Sequence, residues 1–363
     1  AKEEKRGVAI FVTGWDSDSC IQCNPCAFVC PHAAIRPFLM TPAEAEQAPS
    51  GIAVMDAAGV ADMKYSIITS VMDCLGCGSC TYVCPKQALT MQPFDDEEYK
   101  APLWDYSIHL PKKSNPMKKT TVKGSQFEQP LCEFTGACAG CGETPYAKLL
   151  TQLYGDRMMI ANSHGCSHVW AASAPGIGYA VNEKGHGPSW ADSLFEDAAE
   201  YGYGMFLGVR SGRELLKGYV AEAMAAASPA LQSVLQDWQD HMMVSEGTRE
   251  RADAVVALLE KEKKGISILE EVYRQRQYLV KRSHWIFGGD GWSYDIGYGG
   301  LDHVLSQNQD INVFVCDTEV YSNTGGQASK ATPTAAVAQF AAAGKRNKKK
   351  DLGMMAMTYG YVY

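Results

Sequence analysis

No stretch of this sequence approaches the roughly 18–20 consecutive apolar residues that a helix needs to span a bilayer, so no membrane segment is expected. The charged start AKEEKR runs into only a short apolar stretch, residues 7–12, which lacks the shape of a secretory signal. A cytoplasmic protein is the expectation. Positive charge is also scarce where a nucleic-acid binder would need it. The net charge is -8, and residues 1–110 carry 7 Lys/Arg against 14 Asp/Glu. No basic segment is interleaved with aromatics for stacking on bases, so nucleic acid is not an expected partner. An initiator Met is absent, and the last residues, MAMTYGYVY, stop inside an apolar, β-prone run without a turn signal. The expectation is one piece of a longer protein.

What the sequence has in excess is cysteine, 13 in 363 residues. With 46% apolar and 20% charged residues the chain is globular in composition, long enough for a sizeable core and about two or three domains. Disulfide frameworks belong to small secreted chains that cannot bury enough apolar surface. Cysteine in a chain of this size points to metal or redox chemistry instead.

Residues 1–110 contain two segments of nearly the same plan, CIQCNPCAFVCPHAAI and CLGCGSCTYVCPKQAL, an internal repeat that implies a pseudo-symmetric domain. Residues 8–13, 65–69 and 88–92 are β-prone, and residues 41–62, rich in Ala, Pro and Glu, look like an insertion. Residues 111–130 hold 5 Lys, 1 Glu and four prolines or glycines, which predicts a connector over the surface. A second domain is expected over residues 131–363, with buried strands at 157–161 and 312–316 and surface helices within 192–227 and 229–283. Strands followed by helices suggest an α/β layer fold. The basic run Lys345, Arg346, Lys348, Lys349 and Lys350 reads as a solvated turn.

Cys20, Cys23, Cys26 and Cys30-Pro31 match C-x2-C-x2-C-x3-C-P, and Cys74, Cys77, Cys80 and Cys84-Pro85 match it again. This is the two-cluster ferredoxin signature, in which three close thiolates hold one 4Fe-4S cluster and the fourth reaches across to the other. One cluster then takes Cys20, Cys23, Cys26 and Cys84, the other Cys74, Cys77, Cys80 and Cys30. Zinc or buried free thiols fit the doubled spacing less well. Cys138 and Cys141 in TGACAGCGETPY and Cys166 in NSHGCSHVW form a third set, part of a further cluster, part of a zinc site, or isolated structural cysteines. Spacing leaves its fourth ligand open between Cys132 and Cys316 and favours Cys132. His164 and His168 flank Cys166 and are expected to pack or hydrogen-bond, while His32 is either a surface residue or a neighbour that tunes a cluster.

GGDGWSYDIGYGGLDHVL follows an apolar stretch, and 28 residues after Asp290 comes Thr318 in DTEVYSNTGGQ, at the end of the strand-like INVFVC. Glycines let backbone approach a diphosphate, and an aspartate with a hydroxyl and a carbonyl from a neighbouring strand end is an oxygen set suited to Mg2+. The spacing resembles the thiamine diphosphate motif.

Taken together, CIQCNPCAFVCPHAAIRP, ACAGCGETPY, GDGWSYDIGYGGLDHVL and DTEVYSNTGGQASKATP resemble the C-terminal third of the pyruvate:ferredoxin (flavodoxin) oxidoreductase family, over essentially the whole chain. The resemblance implies an α/β thiamine diphosphate-binding domain plus a small α+β ferredoxin-like domain. It implies that Asp290, Thr318 and Val320 hold Mg2+. Gly289, Gly291, Trp292 and the run Thr318, Glu319, Val320, Tyr321, Ser322 and Asn323 would line the cofactor, with Glu143 and Cys166 beside it and Asn323 facing substrate. It also implies a third 4Fe-4S cluster on Cys138, Cys141 and Cys166 completed by a downstream cysteine, which makes Cys132 and Cys316 spare.

The implied reaction is oxidative decarboxylation of pyruvate with coenzyme A to acetyl-CoA and CO2, with electrons leaving through three 4Fe-4S clusters to ferredoxin or flavodoxin, in a homodimer of longer chains suited to anaerobic metabolism. The alternatives are a related enzyme acting on another 2-oxo acid and an electron-transfer module without catalysis of its own.

Overall fold

The computed structural model describes residues 3–172 and 176–363. The chain forms two compact units, Ala1–Asp156 with His164–Pro188, and Arg157–Ser163 with Ser189–Tyr363.

The first unit is α+β. Its strands are β1 (Phe11–Trp15), β2 (Ile35–Met40), β3 (Met55–Asp56), β4 (Lys64–Thr69) and β5 (Leu89–Pro93), all paired antiparallel, β1 with β5 and the others in the order β2-β4-β3. The strands expected near 65–69 and 88–92 are present, and the first begins at Phe11. β2 was hidden by Pro37, which a ladder tolerates here because β2 is an edge strand. Ile35, Met40, Tyr65, Ile67, Leu103 and Trp104 form the core. The stretch 41–62 is ordered: Thr41 and Glu44 make a reciprocal cap on the helix Pro42–Gln47, and β3 extends the sheet.

Two expectations about the middle of the chain are corrected. Residues 111–130 do not simply run over the surface, because the turn Val122–Ser125 buries Gly124 and Ser125, and the Asn24 amide donates to the Lys123 carbonyl at 3.0 Å. Nor does the compact first unit end before Leu131. Arg36 pairs with Glu133, the Phe134 N–H donates to the His32 carbonyl at 3.0 Å, and the Phe134 ring packs edge-on against Trp104. These contacts keep residues 131–156 with the cysteine-rich part.

The second unit is α/β. Four parallel strands, β6 (Met158–Ser163), β7 (Ser189–Ser193), β8 (Ser283–Gly289) and β9 (Ile311–Cys316), lie in the order β7-β6-β8-β9. The 26-residue helix Ala198–Ala223 packs on β6 and β8, and Gly202 permits the approach: a Cβ there would sit 2.6 Å from Ile286 and 3.0 Å from Ala161. The expected helices over 192–283 resolve into this helix and Pro229–Asp240, Thr248–Glu262 and Ser267–Arg274. They are more than a surface layer, because Leu216, Val220, Leu231, Leu235, Val255 and Leu259 form a fully buried core among them. Each such side chain contributes about 1.5–3 kcal/mol.

The chain enters the sheet at β6, places β7 on one side of it and β8 with β9 on the other. That reversal of direction is a topological switch point, and crevices outside the carboxyl ends of such strands are where open α/β sheets bind ligands.

Candidate functional site

The eight cysteines of the repeat separate into two cavities of the first unit. Cys20, Cys23, Cys26 and Cys84 line one of about 350 Å³, and Cys30, Cys74, Cys77 and Cys80 line another of about 370 Å³. Each cavity takes three cysteines from one segment and the fourth from the other.

The backbone repeats along with the sulfurs. Every cysteine of the second set lies 54 positions after its counterpart, and so do the residues in left-handed backbone: Gln22 and Gly76, Asn24 and Gly78, Ala33 and Gln87. Non-glycine residues hold that conformation only where surrounding contacts impose it. The Gln22 amide donates to the Asp56 carbonyl at 2.7 Å, and Tyr65 donates to Asn24 Oδ1 at 2.6 Å. The resulting loops aim backbone N–H groups at sulfur: Gln22 at Cys20 and Gly76 at Cys74, both 3.4 Å, then Ala34 at Cys30, 3.4 Å, and Ala88 at Cys84, 3.2 Å.

Burial pushes the Cys26 thiol up, Cys74 to about 11 and Cys80 to about 12. Four sulfurs converging on each cavity, with backbone N–H donors aimed at one or more of them, are a donor set that fits an iron-sulfur cluster.

The third set is less closed. Cys138 is exposed, while Cys141 and Cys166 are half-buried. Cys141 N–H donates to the Cys138 carbonyl at 3.1 Å, and the loop is tied to the helix Cys166–Ala172 by the Gly136 N–H on the Trp170 carbonyl, 3.2 Å, and by Trp170 Nε1 on Glu143, 2.8 Å. Glu143 thus belongs with this loop. His32 is buried rather than a surface residue, and its Nε2 lies 3.3 Å from the Cys138 carbonyl oxygen. Cys132 is 1% exposed, bridged backbone to backbone with Tyr179, and burial pushes its thiol up to about 12. Cys316 is buried at the end of β9. If Cys132 is spare, as the resemblance implies, Cys132→Ser leaves the iron content of the intact protein unchanged, and loss of about four irons per chain would make it a cluster ligand.

In the second unit Asp290 immediately follows β8, and Thr318 lies just beyond β9. Asp290 is 2% exposed. The Thr318 hydroxyl lies 3.1 Å from Asp290 Oδ1 and 3.1 Å from the Val320 carbonyl oxygen, with Ser322 Oγ at 3.3 Å. Ser329 donates to Asp290 Oδ2 at 2.5 Å. Burial holds the Asp290 carboxyl above the ordinary range, against the hydrogen bonds from Ser329 and Thr318. A buried carboxylate, a hydroxyl and a carbonyl converging at strand ends are hard oxygen donors, and that set fits Mg2+.

The neighbouring segment folds over Asp290. Tyr321 donates to Asp295 Oδ2 at 3.1 Å, and a Cβ on Gly291 would strike its ring at 2.4 Å. Gly289 has room, its nearest atom being the Cys316 carbonyl oxygen at 3.8 Å from a Cβ position. Asn323 is exposed, and Glu319 pairs with Lys349 at 3.0 Å. Trp292 has no exposed surface: its ring packs with Ala198, Ile286 and Leu301 in the core, a structural place rather than a cavity lining.

Spacing did not reveal Ser329, which lies within the QASKATP stretch of the resemblance, or the use made of the basic run. That run is not a solvated turn. Lys345 donates to the carbonyls of Ser329 and Thr332, Lys349 pairs with Asp317 at 2.6 Å, and Lys350 donates to the Tyr294 carbonyl at 3.0 Å.

Among the described residues no helix is long and apolar enough to cross a membrane. Residues 19–88 match the 4Fe-4S dicluster domain. The chain is 56% identical over 363 residues to a pyruvate-flavodoxin oxidoreductase of Klebsiella pneumoniae, covering 99% of this chain and 31% of that protein. It is 52% identical over 373 residues to a pyruvate:ferredoxin oxidoreductase of Moorella thermoacetica, covering 100% of this chain and 32% of that protein. A pyruvate dehydrogenase [NADP(+)] of Cryptosporidium parvum is 46% identical over 400 residues, 99% of this chain and 21% of its own length. The chain thus spans about a third of the length of the first two relatives. At this identity across nearly every residue, the chain belongs to the pyruvate:ferredoxin and pyruvate-flavodoxin oxidoreductase family.

Proposed function

We propose that this chain supplies the electron relay and the thiamine diphosphate-Mg2+ site of an enzyme that oxidatively decarboxylates pyruvate to acetyl-CoA and CO2 and delivers the electrons to ferredoxin or flavodoxin. The supporting observation is the separation of eight cysteines into two four-sulfur cavities of crossed origin, in a chain whose Asp290, Thr318 and Val320 oxygens converge beyond the adjacent carboxyl ends of β8 and β9.

In this reading the first unit is the ferredoxin-like part and the second is the thiamine diphosphate domain. Cys20, Cys23, Cys26 and Cys84 hold one 4Fe-4S cluster and Cys30, Cys74, Cys77 and Cys80 a second; Cys138, Cys141 and Cys166 contribute to a third. The clusters, when bound, pass electrons singly. Thiamine diphosphate, when bound, supplies the electron sink that lets a 2-oxo acid lose CO2.

The chain's own residues do the rest. Asp290 supplies the anionic oxygen for Mg2+, Ser329 and Thr318 fix its two oxygens in place, and the Val320 carbonyl adds a neutral donor. Backbone at Gly289 and Gly291 and the segment Thr318 to Asn323 border the diphosphate, with the Asn323 amide available to substrate.

Iron, sulfide and thiamine analysis of the anaerobically purified intact enzyme, with electron paramagnetic resonance of its reduced state and turnover of a panel of 2-oxo acids, tests the reading. About twelve irons per chain, bound thiamine and a preference for pyruvate are expected. Absence of thiamine from protein with full iron would leave only an electron-transfer module, and preference for another 2-oxo acid would change the substrate.

A further inference from the structure

Among the described residues of the first unit, Lys148 on the helix Thr144–Tyr154 is the least exposed of the Asp, Glu, Lys and Arg side chains, at 2%. Its ammonium donates to the backbone carbonyls of Ala27, Phe28 at 3.0 Å and Cys30 at 3.2 Å. Those carbonyls end the helix Pro25–Val29, the stretch that joins Cys26 in one cavity to Cys30 in the other. Three donors meet three acceptors, so the hydrogen bonding is complete.

The charge is not balanced. Among the described residues no carboxylate pairs with Lys148, and the nearby Glu133 is engaged by Arg36. Burial lowers the Lys148 ammonium to about 8; the thiols of Cys30, Cys132 and Cys26 act to favour its charge and Arg36 to oppose it. A buried cation without a counter-ion is strongly destabilising, and an apolar side chain of similar volume would fill the space at less cost. The arrangement gains its anion when the two cavities hold clusters, since a 4Fe-4S cluster with four thiolates is negatively charged and becomes more so on reduction.

We infer that Lys148 is a positioning residue of the electron relay: its fixed positive charge, held between the ligand loops of both cavities, raises the reduction potential of the cluster on Cys30 and, to a smaller extent, that of the cluster on Cys26. The inference rests on the ligand reading proposed above. The step it would assist is a one-electron transfer: a bound cluster would gain one electron from the preceding carrier of the relay, which is oxidised by one electron, beside a cation already in place, and the transfer requires no proton from Lys148. No bond forms or breaks.

The test uses the intact, anaerobically purified enzyme with K148Q, which removes the charge, and K148R, which keeps it. Potentials are read by electron paramagnetic resonance during redox titration, alongside iron content. K148Q is expected to move one ferredoxin-like cluster to a more negative potential and the other less, with K148R close to wild type. Full iron and unchanged potentials in K148Q overturn the inference. If K148Q loses iron, normal loading and potentials in K148R support the charge, whereas equal loss in both makes Lys148 a packing residue and overturns it. A wild-type enzyme without cluster signals would overturn the ligand reading itself.

Discussion

Asp290→Ala is expected to weaken binding of thiamine diphosphate with Mg2+ by more than about 100-fold, ~2.7 kcal/mol or more, while the iron content stays at the wild-type level. The size follows from position. Residues that merely orient a metal ligand are worth about 10- to 100-fold in affinity, and Asp290 would be the ligand itself. Its side chain is 2% exposed, with one oxygen beside the Thr318 hydroxyl and the other accepting from Ser329. Water therefore has little room to replace the carboxylate.

Without a cation the buried carboxyl is pushed toward its neutral form, and a divalent ion reverses that preference. Ser329→Ala, which removes an orienting bond and no ligand, should lose less, about 10-fold. Calorimetry on the intact enzyme and thiamine content after desalting measure both. Wild-type affinity in Asp290→Ala would remove the magnesium assignment.

Cys84→Ser is expected to remove about four irons per chain, and the identity of the lost cluster is the informative part. Cys84 belongs to the second cysteine segment, but it lines the cavity of Cys20, Cys23 and Cys26. The double variant Cys23→Ser with Cys84→Ser should therefore lose no more iron than either single variant. Cys77→Ser with Cys84→Ser strikes both cavities and should lose about eight. The opposite pattern, additive loss in the first pair and no extra loss in the second, would mean that each segment binds its own cluster.

How much of this was legible in the sequence depended on the kind of constraint. The spacing of metal ligands follows the size of the group they would hold, so the crossed grouping of the cysteines was an expectation of the sequence, and the two cavities bring the same residues together. Asp290 and Thr318 were legible for a similar reason, a fixed distance between two strand ends. Strand β2 was masked by Pro37, and β7, whose sequence is SWADS, is too short and polar to announce itself. The first unit's true extent depends on tertiary contacts such as Arg36 with Glu133 and Lys148 with the carbonyls near Cys30, and these have no local pattern. The basic run misled for the same reason, since Lys345 and Lys350 find backbone carbonyls far away in sequence.

The threading of the chain limits how it can be divided. It leaves the first unit after Asp156, lays down β6 as an inner strand of the parallel sheet, returns for residues 164–188, and leaves again at Ser189. No single cut yields both units whole. A truncation at 156 discards Cys166 and the helix that holds Glu143, and a start at 157 drags a 25-residue excursion with no unit to return to. During synthesis β6 emerges before either of its sheet neighbours, so it must wait for about 120 residues until β8 arrives to complete its pairing. Engineering either unit as a separate module therefore calls for circular permutation or co-expressed pieces.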